Sequence, residues 1–460
     1  MDRKIYNLTP AQAIMFLSMK YSLKKQVINI PTSMLIREEL DFDILQQAVK
    51  YEIKRNDALR LRFEKSANTA VQYFESVDEA EDKACDRLDF TGKTEEEQNR
   101  VLSELAGRAF KIYREKPFEI VMIKSFDGNC GLFFNVNHLI MDSFAVMIFY
   151  KDVFEIYYSL KDGRKFPEPL TPYEEVLKKE LAYQGSEAEK ADIKFFEDLF
   201  TRNPEPLMTT PYGREPLRKA RKKNPEARSA SIFSLFHTKV KQKVFYIPQQ
   251  QAEELFCFCK EYRVPFQCLF TMGIRTYLSL KNDHETDISL NATVARRATL
   301  AEKNSGGTRI HFFPNRSNVR DEDTFLDAVR QINGYQNACF RHINLDPQKI
   351  LKIRSKIYGT PESTSYEAMS LTYQPVEMDI GTDAEIKSKW HSPGYASNPL
   401  YITIMHNFSK EKGLDVYYEY QVKLLSEEDI ISFQNTVLKT MYLGIKNPQI
   451  TVAEIFRELV

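Results

Sequence analysis

The chain has 460 residues, 43% of them hydrophobic and 28% charged, with 64 basic and 64 acidic side chains. This length exceeds what one core normally supports, so we expect two lobes in a globular protein. The balanced charge argues against nucleic acid as a partner, and every apolar run is shorter than the ~20 residues of a membrane-spanning helix, so we expect no membrane partner.

The first 180 residues predict alternating helices and strands. Thr9-Pro10 has the pattern of a capped helix start, with a helix to about Ser22. Asp43 is the predicted cap of the next helix, which runs to Ile53. Residues 58–63 alternate as a strand, with Leu59, Leu61 and Phe63 on one face and Arg60 and Arg62 on the other.

A helix over 95–112 and a hairpin follow. The hairpin arms are 117–126 and 130–137, joined by a turn at Asp127-Gly128-Asn129. The second arm ends at Asn137 and His138, and an amphipathic helix is predicted from Ser143 to Leu160. Two polar, hydrogen-bonding side chains are therefore expected at the end of a strand.

The second half of the chain repeats this alternation after a charged stretch. Residues 181–243 are interpreted as a solvated connector between lobe 1–180 and lobe 244–460. Further strands are predicted at 244–247, 287–293, around 312–313, 400–407 and 413–421, and helices at 250–262, 265–281, 323–341 and 426–444. The fold class is thus α+β, with two lobes of similar size.

The cysteines and the N-terminus favour a cytoplasmic protein. Six cysteines are sparse, as in reduced proteins, and no apolar segment of a signal peptide follows Met1. Cys257 and Cys259 lack a second ligand pair for zinc, so we predict that they pack in a helix and that the chain has no metal site.

The stretch Asn137-His138-Leu139-Ile140-Met141-Asp142-Ser143 has two interpretations. His138 could be a catalytic imidazole at a strand end, where active-site residues are common. Alternatively, the stretch is a strand-to-helix corner capped by Asp142 or Ser143. Taken alone, these residues favour the corner.

Motifs elsewhere in the chain change that preference. The stretch resembles HHxxxDG, the motif of the condensation domains of nonribosomal peptide synthetases, within the chloramphenicol-acetyltransferase-like superfamily. Residues 9–16 are similar to SxAQxRMWxL, and 55–63 to RHExLRTxF. The segments VARR (294–297), FPNRSNVR (313–320) and ASNPL (396–400) resemble VAGR, FVNTLPLR and SRNPL. Six matches in the family's order make the resemblance specific.

The resemblance implies two acetyltransferase-like lobes in a V with a substrate tunnel between them. It implies an acyltransferase that joins a carrier-protein-bound acyl or aminoacyl thioester to an amine, in nonribosomal peptide or related secondary-metabolite biosynthesis. No cofactor would be bound permanently. The donor would be a phosphopantetheine thioester, and because no adenylation or carrier domain is recognisable, the carrier protein would act in trans.

The resemblance also assigns roles to residues. Asn137, His138 and Asp142 form the predicted catalytic set, with His138 as the base or positioner for the attacking amine. Asp142 is expected to form a structural salt bridge with Arg60, and Arg297 is a rival partner or a tunnel residue. Asn315 and Asn398 are expected to order loops between the lobes.

Two departures from the motif affect the predicted reaction. Asn137 replaces the first His and cannot titrate. Ser143 replaces the motif Gly and adds a side chain with a hydroxyl at a position where Gly leaves space in the tunnel.

Two other functions stay open. One is an O- or N-acyltransferase that takes acyl-CoA and acylates an amine or alcohol; the DFGWG motif of its plant-type branch is not matched at 413–417. The other is a non-catalytic docking domain for a carrier protein.

Overall fold

The computed structural model describes residues 3–79, 85–232, 234, 236–376, 380–409 and 412–459. Within these residues the strands are, in chain order, β1 (Tyr6–Asn7), β2 (Asn29–Ile36), β3 (Leu61–Ser66), β4 (Thr69–Phe74), β5 (Asp86–Asp89), β6 (Phe118–Lys124), β7 (Cys130–Asn137), β8 (Val240–Ile247), β9 (Asp287–Val294), β10 (His311–Asn318), β11 (Met369–Gln374), β12 (Ile386–Trp390), β13 (Leu400–His406) and β14 (Leu414–Gln421).

The helices alternate with these strands. They are α1 (Pro10–Lys20), α2 (Phe42–Arg55), α3 (Glu95–Ala106), α4 (Ser143–Asp162), α5 (Tyr173–Tyr183), α6 (Glu187–Arg202), α7 (Glu215–Arg221), α8 (Gln249–Tyr262), α9 (Phe266–Lys281), α10 (Leu300–Lys303), α11 (Phe325–Phe340), α12 (Pro347–Tyr358), α13 (Glu427–Lys446) and α14 (Val452–Leu459). Short 3-10 turns cover Lys25–Ile28 and Asp57–Arg60. Every helix in these described ranges is too short or too polar to traverse a bilayer.

Two larger sheets organise the fold. The first has the order β12-β2-β7-β6-β5, and the second has the order β10-β9-β11-β13-β14-β8. A third, smaller sheet has the order β1-β4-β3. The predicted hairpin is observed, because β6 and β7 pair antiparallel around Gly128, whose φ is 81°. The predicted pairing near the C-terminus is observed between β13 and β14.

Each large sheet has its own hydrophobic core. In the first half, β2 and β7 are buried along their whole length and α4 packs over them through Phe149, Tyr150 and Val153. In the second half, α9 and α13 pack on the other sheet through residues such as Phe270 and Phe433. The α+β fold class is therefore confirmed.

Helix starts follow the expected capping chemistry, with one correction. Thr9 caps α1 in a capping box with Gln12, as the Thr9-Pro10 pattern predicts. The predicted cap Asp43 is wrong, because the Asp41 carboxylate accepts from the backbone N–H groups of Asp43 and Ile44.

The segment 181–243 is more structured than the predicted solvated connector. It contains α6, and Phe196 and Phe200 of that helix are buried in the core of the second half. The hydrophobic spacing within α6, rather than its high charge, decides its placement. The lobe boundaries at 180 and 243 stay a prediction.

Candidate active site

The predicted motif joins the end of β7 to the start of α4. Asn137, the last residue of β7, is buried. Its side-chain amide donates to Asn29 Oδ1 over 3.2 Å, and its Oδ1 accepts from the Leu139 backbone N–H over 3.1 Å. Asn137 thus holds the first turn of the loop against β2.

His138 faces a cavity. Its backbone N–H donates to the Ile28 carbonyl, and its ring Nδ1 lies 3.2 Å from Thr308 Oγ1. Among the described residues, Thr308 is the one side chain within hydrogen-bond distance of the ring, which also bonds to the backbone of His138 and Met141. Burial lowers the pKa of His138 below the ordinary imidazole value, although the Asp142 carboxylate opposes part of that shift. A neutral imidazole in the wall of a cavity can accept a proton from a ligand.

Asp142 is fully buried, and its carboxylate accepts hydrogen bonds from three different segments of the chain. Arg297 Nη2 donates to Oδ1 over 2.9 Å, and the Ala145 backbone N–H caps α4 through the same oxygen. The Arg309 backbone N–H donates to Oδ2 over 2.9 Å. The carboxylate therefore both caps a helix and joins the motif loop to the second half of the chain.

The predicted ion pair between Asp142 and Arg60 is wrong. Residues 57–60 form a 3-10 turn rather than a strand, and Arg60 Nη1 donates to the Glu75 carbonyl over 2.6 Å. Asp142 pairs instead with Arg297, the rival that the sequence also suggested. The alternation in residues 58–63 predicted the strand start too early, because period-2 alternation cannot distinguish a strand from the turn before it.

Arg297 is enclosed by the loop that follows it. Its Nη1 donates to the carbonyls of Glu302 and Ser305, and its Nη2 also donates to the carbonyl of Gly307. The next residue, Thr308, contacts His138. The guanidinium thus connects Asp142 with the residue that orients the imidazole, a coupling that no local sequence pattern shows.

The cavity has a volume of about 310 Å³ and its walls come from both large sheets. One wall contains His138, Ser143 and residues 28–31 at the start of β2. The opposite wall is a polar face of the second large sheet. One cross-strand row on this face consists of Asn291, Ser370, Tyr401, Glu419 and Gln242.

The sequence analysis missed this polar face. Asn291 and Thr293 in β9, and Tyr417 and Glu419 in β14, point to the cavity, while alternate residues such as Leu290 are buried in the core. Polar residues at every second position were therefore the available signal.

The remaining predicted residues separate into two groups. Asn398 lines the cavity and donates to Ser370 Oγ over 3.0 Å. Asn315 is buried in β10 beside Gln336, 3.5 Å away, and is not part of the cavity wall.

Comparison with known families identifies the class of protein. The family model described as Condensation domain matches residues 2–457, and the chain belongs to this family. The resemblance inferred from the motifs is therefore confirmed. Condensation domains are the acyltransferases that form amide bonds in nonribosomal peptide synthesis.

Individual relatives agree with this assignment. A plipastatin synthase protein of Bacillus subtilis (strain 168) is 21% identical over 458 residues, which cover 99% of this chain and 17% of that protein. The chain therefore spans less than a fifth of the length of this relative.

Solved structures share the fold. The first condensation domain of the calcium-dependent antibiotic synthetase, in complex with a substrate analogue, has a TM-score of 0.79 and 17% identity, covering 98% of each chain. The starter condensation domain of rhizomide synthetase, in complex with C8-CoA and Leu-SNAC, has a TM-score of 0.81 and 16% identity, covering 97% of this chain and 96% of that one.

Proposed function

We propose that this chain forms an amide bond between a thioester-bound acyl or aminoacyl group and an amine. The observation that carries the proposal is His138, a neutral imidazole on the cavity wall that Thr308 holds through Nδ1. The proposed donor is a carrier-protein phosphopantetheine thioester, with the carrier protein as partner in trans. The proposed setting is nonribosomal peptide or related secondary-metabolite biosynthesis, in the cytoplasm, where the six free cysteines would stay reduced.

In the proposed reaction the amine nitrogen attacks the thioester carbonyl carbon. The new C–N bond gives a tetrahedral intermediate with a cationic nitrogen and an anionic oxygen. His138 takes the proton from the nitrogen, the C–S bond breaks, and the leaving sulfur receives that proton, so that the products are an amide and a thiol. Asn137, Asp142 and Arg297 are positioning residues here, because each holds a segment that orients the imidazole.

Ser143 is proposed as a substrate-positioning residue. It is the first residue of α4, and it lies beside His138 in the cavity wall. A hydroxyl at a helix N-terminus is suited to donate to developing negative charge on the substrate oxygen.

The test offers the purified chain a carrier-bound acyl thioester and a panel of amines, with products followed by mass spectrometry. His138→Ala is expected to lower the turnover number by about 10²–10⁴-fold. His391→Ala is the matched control, because His391 lines the same cavity but its Nε2 lies 2.9 Å from Ser33 Oγ. Equal turnover by wild type and His138→Ala would overturn the role of His138, and no product from wild type would favour a non-catalytic docking role.

The second candidate function is acyl transfer from acyl-CoA to an amine or alcohol. It is favoured by the similar rhizomide starter domain, whose structure holds C8-CoA. Supplying the same acyl group on CoA and on a carrier protein distinguishes the two, since the donor with the higher kcat/KM is the better substrate.

A further inference from the structure

Glu419 places a carboxylate in the wall of the cavity. It lies on β14, between Tyr401 on β13 and Gln242 on β8, and all three line the cavity. One hydrogen bond fixes its orientation, because Ser392 Oγ donates to Oε2 over 2.6 Å. Within the described residues, this is the one hydrogen bond that the carboxylate makes, and it leaves Oε1 available to a ligand.

No Lys or Arg of the described cavity lining compensates the charge of Glu419. Among the described residues that line the cavity, Glu419 is the one acidic side chain, and none is Lys or Arg. Within the same described residues, Glu419 makes no ion pair. Buried carboxylates are normally paired with a cation, so an unpaired carboxylate in a substrate cavity indicates a partner carried by the ligand.

The titration of Glu419 agrees with its geometry. Burial raises the pKa of Glu419 to about 7, although the hydrogen bond from Ser392 opposes the shift. A bound cation would favour the ionised form and would therefore return part of the free energy that burial costs.

Glu419 and His138 lie in different walls of the cavity. His138 contacts Thr308, which leads into β10, whereas Glu419 is on β14. Strands β9, β11 and β13 lie between β10 and β14. Glu419 is therefore positioned to contact a part of the substrate other than the atom that reacts at His138.

We propose that Glu419 binds a positively charged amino or guanidino group of the small-molecule substrate, several bonds away from the reacting atom. The location of the reacting atom rests on the proposed function. The charged group has two possible sources, the amine acceptor or the side chain of an aminoacyl donor. The polar row beside Glu419 supplies neutral acceptors, Tyr401 and Gln242, for the remaining N–H groups of such a cation.

The test compares wild type with Glu419→Gln, which removes the charge and keeps an oxygen to accept from Ser392. Two substrate pairs distinguish the two possible sources of the charged group. Cadaverine is compared with aminopentanol as the acceptor, and the lysyl thioester of N-acetylcysteamine is compared with the norleucyl thioester as the donor. Asp415→Asn is the matched control, since Asp415 is on the same strand and does not line the cavity.

In one of the two pairs, wild type is expected to prefer the cationic member by at least about tenfold in kcat/KM. Glu419→Gln should lose this preference, Glu419→Asp should retain most of it, and Asp415→Asn should leave it unchanged. Product formation by wild type without a preference in either pair would overturn the assignment of Glu419, as would a preference that survives in Glu419→Gln.

Calorimetric binding of cadaverine and of lysine amide separates this proposal from the proposed function. Wild type should bind one of the two probes at least about tenfold more tightly than Glu419→Gln does. If no amide product forms from any substrate, the proposed function fails, and this binding difference decides the role of Glu419 by itself. Equal binding by both proteins, or no binding by wild type, would overturn it.

Discussion

The Asp142 carboxylate and the Arg297 guanidinium form a buried ion pair, with 2.9 Å between Oδ1 and Nη2. Asp142 belongs to the loop between β7 and α4, whereas Arg297 follows β9 in the other large sheet. The pair therefore fixes the motif loop to the opposite wall of the cavity. Because Arg297 also binds the Gly307 carbonyl, it holds the segment that presents Thr308 to His138.

Removing either member of this pair should destabilise the protein strongly. Arg297→Ala leaves the buried Asp142 carboxylate without its cation, and we expect the free energy of unfolding to fall by about 3–5 kcal/mol. Urea unfolding followed by circular dichroism measures this change.

Arg60→Ala is the matched control for that measurement. Arg60 donates to a backbone carbonyl and makes no contact with Asp142, so its loss should cost about 1–2 kcal/mol. A larger loss for Arg60→Ala than for Arg297→Ala would contradict the pairing described here.

Gly307 should tolerate no side chain. Its φ is 85°, and a Cβ at this position would lie 2.1 Å from the Tyr173 ring. We expect Gly307→Ala to cost about 2–4 kcal/mol and to lower turnover by displacing Thr308. Thermal unfolding and the turnover number are the measurements. Gly334→Ala in α11 is the control, because no atom lies within 4 Å of its added Cβ, and it should be neutral or slightly stabilising.

In the proposed reaction, kcat should fall at low pH because His138 becomes protonated; this fall is the acid limb of the pH profile. The base must be neutral, and burial lowers its pKa below the ordinary value of 6.5, so kcat should fall only below pH 6.5. The Asp142 carboxylate raises the pKa of His138, and Asp142→Asn should therefore move the acid limb to lower pH. Turnover profiles of the folded proteins measure this limb, and an unmoved or raised midpoint in Asp142→Asn would contradict the coupling.

A second pH effect should come from Glu419. Its pKa is about 7, so the carboxylate ionises as the pH rises through that value. From pH 6 to pH 8, KM for the substrate with the additional amino group should therefore decrease more steeply than KM for the member of the same pair that lacks this group. Glu419→Gln should abolish the difference while it leaves the acid limb of His138 in place.

Local patterns predicted those parts of the structure that local chemistry determines. The Thr9 cap, the turn at Gly128 and the strand end at Asn137 all depend on neighbouring residues, and the structure has all three. The partner of Asp142 could not be predicted in this way, because Arg297 reaches it only after a loop folds around the guanidinium.

Six strands of the described residues were not predicted, namely β1, β2, β4, β5, β11 and β12, and two of them show a physical reason. β2 is buried on both faces and contains Pro31, so it shows neither alternation nor a typical strand composition. β12 is a short strand with two lysines among its residues, Ile386–Trp390, and only its pairing with β2 makes it a strand. Burial and partner choice, which are tertiary properties, decide both elements.

The position of β12 has a consequence for any shortened form of the protein. It comes from the second half of the chain but pairs antiparallel along β2, from Thr32 to Ile36. A fragment that ends before Ile386 would leave the N–H and C=O groups of β2 unpaired along an open edge of the first large sheet. Such an edge is a template for pairing with other chains, so the isolated first half should aggregate rather than fold as an independent monomer.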